Sequence, residues 1–306
     1  FTTPPTLFAS DASQNGVSCC YIEQENQVFY TWYQPQPGIQ AQFVCYSVYD
    51  LTLNTFVVDS VEVNNSLPAA GVCCCYDSDQ NRVFLTWINA DTRTVDYSIY
   101  YPESKIAADA AFILKGTAKS SSDIVSCCYN KLQKKVIFCW ASETDLYPSL
   151  WYEGLESQQT FEDSSLNDVL CCSGDQKLIY LSYSPLPKTK ALDPSSAKIV
   201  SFDIEANSFS NLAQTKTINP SQNIFCSFDS KNKNVIISWA ESMDGIFIPY
   251  YAICPTSGSA SPISPQPITT GQDVFPLDGM NVSSCFNDLN SSCLFSWING
   301  TINNES

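Results

Sequence analysis

The chain has 306 residues, with 31 acidic side chains against 15 basic ones, a net charge of −16 and no histidine. That charge argues against nucleic acid and anionic membrane surfaces, which are held through clustered Lys and Arg. The missing histidine excludes Ser-His-Asp, Cys-His and His-metal chemistry. With 44% apolar and 13% aromatic residues the chain can bury a large core, and no apolar run reaches the roughly 20 residues of a membrane helix.

At the amino end, Leu7-Phe8-Ala9-Ser10-Asp11 resembles Val274-Phe275-Pro276-Leu277-Asp278, so residues 1–16 read as the tail of a repeat. A first residue Phe1 rather than Met is expected of a processed chain or a fragment. From Val17 one pattern returns six times at intervals of 44 to 58 residues: VSCCY, VCCCY, VSCCY, VLCCS, IFCSF and VSSCF, beginning at Val17, Val72, Val125, Val169, Ile224 and Val282. Fifteen residues after the leading apolar residue stands Trp32, Trp87, Trp140, Trp239 or Trp297; one deletion puts Tyr183 there in the fourth copy. A fixed period of this kind marks a repeat architecture.

Each copy predicts four strands. The Cys-Cys segment is the first, and a short polar turn such as Asp77-Ser78-Asp79-Gln80-Asn81 leads to a second strand such as 28–32. A third follows at 42–49 and 198–204, and a weaker fourth at 56–63. In the second strand Val28, Tyr30 and Trp32 occupy one face and Phe29 the other, so both faces are covered. Units of about 50 residues, buried on both sides, fit radial packing, and the expected fold is an all-β, six-bladed β-propeller of four-stranded antiparallel blades. A two-sheet sandwich would expose one face of each strand. Residues 1–306 form one domain in this reading. The sixth copy stops nine residues after Trp297, so strands from both termini are expected to close the ring; donation of the missing strand by a neighbouring molecule, giving a filament, is the alternative.

Neighbouring residues of a strand point to opposite faces, so the two cysteines of a copy face different blades. Pairing the second Cys of one blade with the first of the next gives Cys20–Cys74, Cys75–Cys127, Cys128–Cys171, Cys172–Cys226 and Cys285–Cys19, and leaves Ser227 facing Ser284. Outside these columns Cys254 is expected to pair with Cys293 and Cys45 with Cys73, leaving Cys139 as a buried thiol. Either these are disulfides, which implies an oxidising compartment, or cysteine is a small buried filler with serine as its near-isostere. Contiguous Cys-Cys without histidine is a poor zinc motif, and no metal site is expected. The sequons at Asn64, Asn281, Asn290, Asn299 and Asn304 permit N-glycosylation, consistent with a secreted or extracellular protein.

No catalytic set stands out. Two arginines, Arg82 and Arg93, are too few for a sialidase-like site, which is expected to use three. The 31 acidic residues leave room for glycoside hydrolysis by two carboxylates, although spacing singles out no pair. The 77–81 turn has a calcium-loop composition without the glycine and distal glutamate of an EF-hand, so no cofactor is expected, with calcium as the alternative. Trp151, off the repeat template and flanked by Tyr152 and Tyr147, is the candidate aromatic platform for a ligand.

In length and repeat number the chain resembles the six-bladed fucose-binding fungal lectins, which hold sugars between blades using Arg, Glu and Trp. The resemblance implies a propeller and a sugar ligand; the scarcity of Arg transfers no site residues. The expected function is therefore a secreted, non-enzymatic propeller that binds glycan or protein. A structural subunit of an extracellular coat or filament is the second reading and a two-carboxylate glycoside hydrolase the third.

Overall fold

The computed structural model describes residues 17–35, 42–63, 66, 69–108, 112–118, 125–131, 133–141, 148–152, 159–160, 166–173, 178–185, 198–203, 205–206, 208–214, 224–243, 246–256, 265–268, 282–287 and 291–297. They form antiparallel sheets whose strands follow one another in chain order. The first holds β1 (Val17–Ile22), β2 (Gln27–Pro35), β3 (Gln42–Asp50) and β4 (Thr55–Glu62). The second holds β5 (Ala69–Asp77), β6 (Arg82–Asn89), β7 (Thr94–Tyr101), β8 (Ile106–Ala107) and β9 (Phe112–Thr117). The third holds β10 (Val125–Asn130), β11 (Lys135–Ala141), β12 (Pro148–Tyr152) and β13 (Gln159–Thr160). The fourth holds β14 (Leu166–Ser173), β15 (Leu178–Pro185), β16 (Lys198–Asp203) and β17 (Ser208–Gln214). The fifth holds β18 (Phe225–Asp229), β19 (Asn234–Met243), β20 (Ile246–Pro255) and β21 (Gln266–Pro267), and the sixth β22 (Val282–Asn287) and β23 (Ser292–Trp297).

The expected strand order is present, with two departures. The outer edge of β7 is shared by β8 and β9, so the second sheet has five strands. The sixth has two among the described residues; the segments expected to complete it, 1–16 and 298–306, lie outside them.

The fifteen-residue spacing is a register. Val17 pairs with Trp32, Val72 with Trp87, Val125 with Trp140 and Val282 with Trp297. Val169 pairs with Tyr183, so the shortened fourth copy keeps the same partners. Four residues separate the first and second strands of every sheet: 23–26, 78–81, 131–134, 174–177, 230–233 and 288–291. The residue before the second strand takes the left-handed conformation in five of them, at Asn26, Asn81, Lys134, Lys233 and Ser291. The turn geometry is therefore reproduced even where the residue is not one that favours positive φ.

Burial falls from the first strand of a sheet to the last. All six residues of β1 and of β10 are buried, whereas most of β4 is exposed. Alternate residues enter the layers on either side. Phe29, Tyr46, Leu85, Trp87 and Tyr100 pack between the first and second sheets, with Phe29 stacked on Tyr46 at 5.4 Å. Phe84, Ile88, Phe138 and Trp140 pack between the second and third. Trp239 joins Tyr180 and Ile199 between the fourth and fifth. Each of these tryptophans faces the preceding sheet. Truncating any of them would cost about 3–5 kcal/mol. Between the sixth sheet and the first lie Cys19, Tyr21, Val28 and Cys285.

Lys233 has φ of 56°, and its carbonyl accepts both turn bonds from Thr256. Replacing it with glycine removes the Cβ clash of the left-handed conformation, and Lys233→Gly is expected to raise unfolding stability by up to about 1 kcal/mol, read by urea denaturation. A loss of stability would contradict the turn assignment.

Candidate functional site

The sheets present two unlike ends. At one lie the four-residue turns between first and second strands. At the other, where the tryptophans stand, connections vary in length. Those from second to third strand span 36–41, 90–93, 142–147, 186–197 and 244–245, and those from one sheet to the next span 63–68, 118–124, 161–165, 215–224 and 268–281. Function concentrates on connections held by a rigid scaffold. The turn end also carries the connections from third to fourth strand, which span 51–54, 102–105, 153–158, 204–207 and 256–265, whereas at the tryptophan end both sets of connections differ from copy to copy.

At the turn end the carboxylates are occupied. Asp50 Oδ1 accepts from the amides of Thr52 and Leu53, both at 2.8 Å. The Leu53 amide in particular holds the Asp50 carboxyl below the usual range, helped by Gln27, against the cost of burial. Asp77, Asp203 and Asp229 bond the amides two and three residues on in the same way, as Asn89 does at the other end. Asp77 also takes Arg82 Nε at 2.8 Å, while that guanidinium lies 4.7 Å from the Phe84 ring centre. The calcium-loop composition of 77–81 is thus an Asx turn. Among the described residues no group of three or more His, Cys, Asp or Glu gathers to hold a metal.

Two acidic residues are buried toward the tryptophan end. Asp96 pairs across from Trp87 and accepts the Thr94 hydroxyl at 2.9 Å. Burial pushes its carboxyl up, opposed by hydrogen bonds from Thr94 and Asn89. Glu241, two residues after Trp239, accepts the indole Nε1–H of that tryptophan at 2.9 Å. Both carboxylates serve to fix their own sheet. Spacing did not single them out, although an acid inside an apolar strand, Val95-Asp96-Tyr97 or Trp239-Ala240-Glu241, was the available signal.

Of the aromatic candidates, Trp151 and Tyr152 lie on β12, opposite Phe138 and Ile137; Tyr147 is outside the described residues, as are the sequons at Asn64, Asn281, Asn290, Asn299 and Asn304. Elsewhere the adjacent tyrosines divide as alternation requires. Tyr100 is buried against Phe29 and Tyr46 while Tyr101 is exposed.

Three of the expected pairs between the cysteine columns have both side chains described. The Cys20 thiol is hydrogen-bonded to Cys74 and that of Cys285 to Cys19, whereas Cys127 is hydrogen-bonded to both Cys73 and Cys75. Ser227 and Ser284 stand 3.2 Å apart. Cys128 and Cys226 are described, but the side chains of their expected partners, Cys171 and Cys172, are not. The thirteen described cysteines carry thiols. Two expected pairs are corrected. Cys45 donates to Gln34 Oε1 at 3.5 Å, while Cys73 looks toward the third sheet, 3.9 Å from Ser126 Oγ. Cys254 lies between the fourth and fifth sheets, and Cys293 is at the other face of the fifth, 4.0 Å from Ser227 Oγ. The reason is parity: Cys73 shares a face with Cys75, and Cys254 lies opposite Val235, on the Trp239 face of its sheet.

No protein-family model matches the sequence, and no curated protein matches it. Solved structures match in fold. A Hadza microbial sialidase aligns with a TM-score of 0.61 at 7% identity, over 92% of this chain and 62% of its own. The exo-beta-1,3-galactanase of Phanerochaete chrysosporium, solved with galactose, aligns with a TM-score of 0.55 at 10% identity, over 94% and 67%. The hydrazine synthase structure from Kuenenia stuttgartiensis gives 0.54 at 10% identity, over 99% and 100%. At these identities the likeness is one of fold, and it makes the antiparallel four-stranded sheets propeller-like. The expectation of a non-enzymatic binder is corrected by these neighbours, several of which are glycoside hydrolases or polysaccharide lyases. Sialidase chemistry itself does not follow. The chain has two arginines, and Arg82 and Arg93 lie at opposite ends of β6 and its following turn.

Because the folded state favours protonated Asp96, this carboxyl contributes stability below the ordinary carboxylate range, near pH 4, and loses it as pH rises. Asp96→Asn keeps an acceptor for Thr94. It is expected to remove that part of the pH slope and to be the more stable form at neutral pH, measured by denaturant titration from pH 3 upward in about unit steps. An unchanged slope would rule out Asp96 as its source.

Proposed function

We propose that the chain is a carbohydrate-active enzyme that cleaves glycosidic bonds by acid–base catalysis between two carboxyl groups, on the tryptophan end of a six-bladed propeller. The observation that carries this reading is the likeness in fold, over 92% and 94% of the chain, to a sialidase and an exo-galactanase. Two features of the chain support it. It has no histidine and an excess of carboxylates, and glycoside hydrolysis is a chemistry that carboxylates alone can perform. Both sets of connections at the tryptophan end differ in length from copy to copy.

The same reading takes residues 1–306 as one domain, closed into a ring with strands from both termini. The bond from the Cys19 amide to Ser283 Oγ, at 3.3 Å, supports closure, since it repeats between the sixth and first sheets what the Cys74 amide and Ser18 Oγ do between the first and second. The oxidising, secretory setting and glycosylation of the sequons belong to this proposal too.

Incubation of the full chain with a panel of polysaccharides and aryl glycosides, followed by assay of reducing ends, is expected to give turnover of at least one substrate. The rate should rise and fall with pH through two carboxyl ionisations. Absence of turnover across the panel, or a profile governed by a group titrating near the cysteine or lysine range, would overturn the two-carboxylate mechanism.

A further inference from the structure

We propose that the inner strands are joined by inter-sheet disulfides Cys20–Cys74, Cys75–Cys127 and Cys19–Cys285, the last tying the first sheet to the sixth. Each pair joins the fourth residue of one copy, Cys20, Cys75 or Cys285, to the third residue of the copy in the following sheet, Cys74, Cys127 or Cys19, and in each the two thiols already hydrogen-bond. Where both columns lack the cysteine, Ser227 and Ser284 occupy the same two places 3.2 Å apart, so the substitutions fall on partners. The backbone around the pairs is held by a recurring bond. The second residue of one copy accepts the amide N–H of the first-column cysteine in the next sheet: Ser18 from Cys74 at 3.2 Å, Cys73 from Cys127 at 3.4 Å and Ser283 from Cys19 at 3.3 Å. The Cys127 thiol is also hydrogen-bonded to Cys73, whose sulfur meets the Cys127 amide and the Ser18 and Ser126 hydroxyls as well; Cys75 is the partner that keeps the column order of the other two pairs.

Each bond forms by two exchanges with an external disulfide, either a small one such as glutathione disulfide or that of a thiol oxidoreductase. A thiolate of the pair attacks one sulfur and displaces the first thiol; the second cysteine then attacks the mixed disulfide and displaces the other. The pair gives up two electrons and two protons, and the external disulfide leaves as two thiols. Burial pushes the Cys20 and Cys127 thiols up, and hydrogen bonding to Cys19 together with burial does the same for Cys285. Packed thiols of this kind are poor nucleophiles, so the bonds close while the inner strands are still assembling.

The test is to refold the full reduced chain in a buffer of glutathione and glutathione disulfide, alkylate the remaining thiols in denaturant, and map unreduced peptides by mass. Linked peptides carrying 20 with 74, 75 with 127 and 19 with 285 are expected. Alkylation of all six cysteines, a Cys19–Cys20 bond within one strand, or a Cys73–Cys127 bond would overturn the pairing. Cys285→Ser separates bonding from packing: it should lower the melting temperature of the oxidised protein by roughly 5 °C or more and leave that of the reduced protein nearly unchanged. An equal fall in both states means the cysteine is a filler. The double variant Ser227→Cys, Ser284→Cys should gain one further link under the same oxidation, and two introduced thiols that remain alkylatable would count against the equivalence of that interface.

Discussion

An inner strand has a ladder partner on one side only, and it is buried on both faces. In β1 and β10 every residue is buried, so polar groups along the open edge cannot turn to water and must be met from another sheet. Ser18, Cys73 and Ser283 meet that need by accepting an amide from the following inner strand. Ser or Cys stands at this position in four of the six copies, with Leu170 and Phe225 in the other two. At the three bonded positions alanine would leave a buried N–H unpaired at a cost of about 1–3 kcal/mol.

From this edge the sheets grow outward with falling burial, and the layers between them are filled by aromatic rings in alternation. Trp87, Trp140 and Trp239 all turn to the preceding sheet, while Phe84 turns to the next. One repeat therefore supplies half of each of two layers, and no single sheet has a core of its own. The acidic character is distributed by the same geometry. Asp50, Asp77, Asp203 and Asp229 are absorbed by turn amides, so part of the net charge is structural rather than available to a ligand.

The fold was legible because a spacing of fifteen residues is the register of a hairpin, and a register leaves a trace in any single sequence that repeats it. The face of each column cysteine was legible for the same reason. The pairings of Cys45 with Cys73 and Cys254 with Cys293 failed because they were assigned by proximity in the repeat without applying parity, which the sequence also carried. The site was not legible. Asp96 and Glu241 occur once each rather than in every copy, and the connections at the tryptophan end share neither length nor motif, so nothing repeats there for a periodic reading to detect. The glycoside hydrolase reading ranked third from sequence for a related reason. The absence of histidine removes several catalytic mechanisms but leaves carboxylate chemistry, which needs geometry rather than a sequence signature.

The unequal ends have a consequence for how such a chain can diversify. Adding one residue within a strand that flanks a four-residue turn would exchange the two faces of an inner strand and disturb two layers at once. Adding several between β15 and β16, where 186–197 already intervene, leaves every strand pair as it is. Length is thus free in the connections at the tryptophan end and fixed in the four-residue turns between first and second strands. A lineage carrying this architecture can remodel what it recognises by insertion, without renegotiating how it folds.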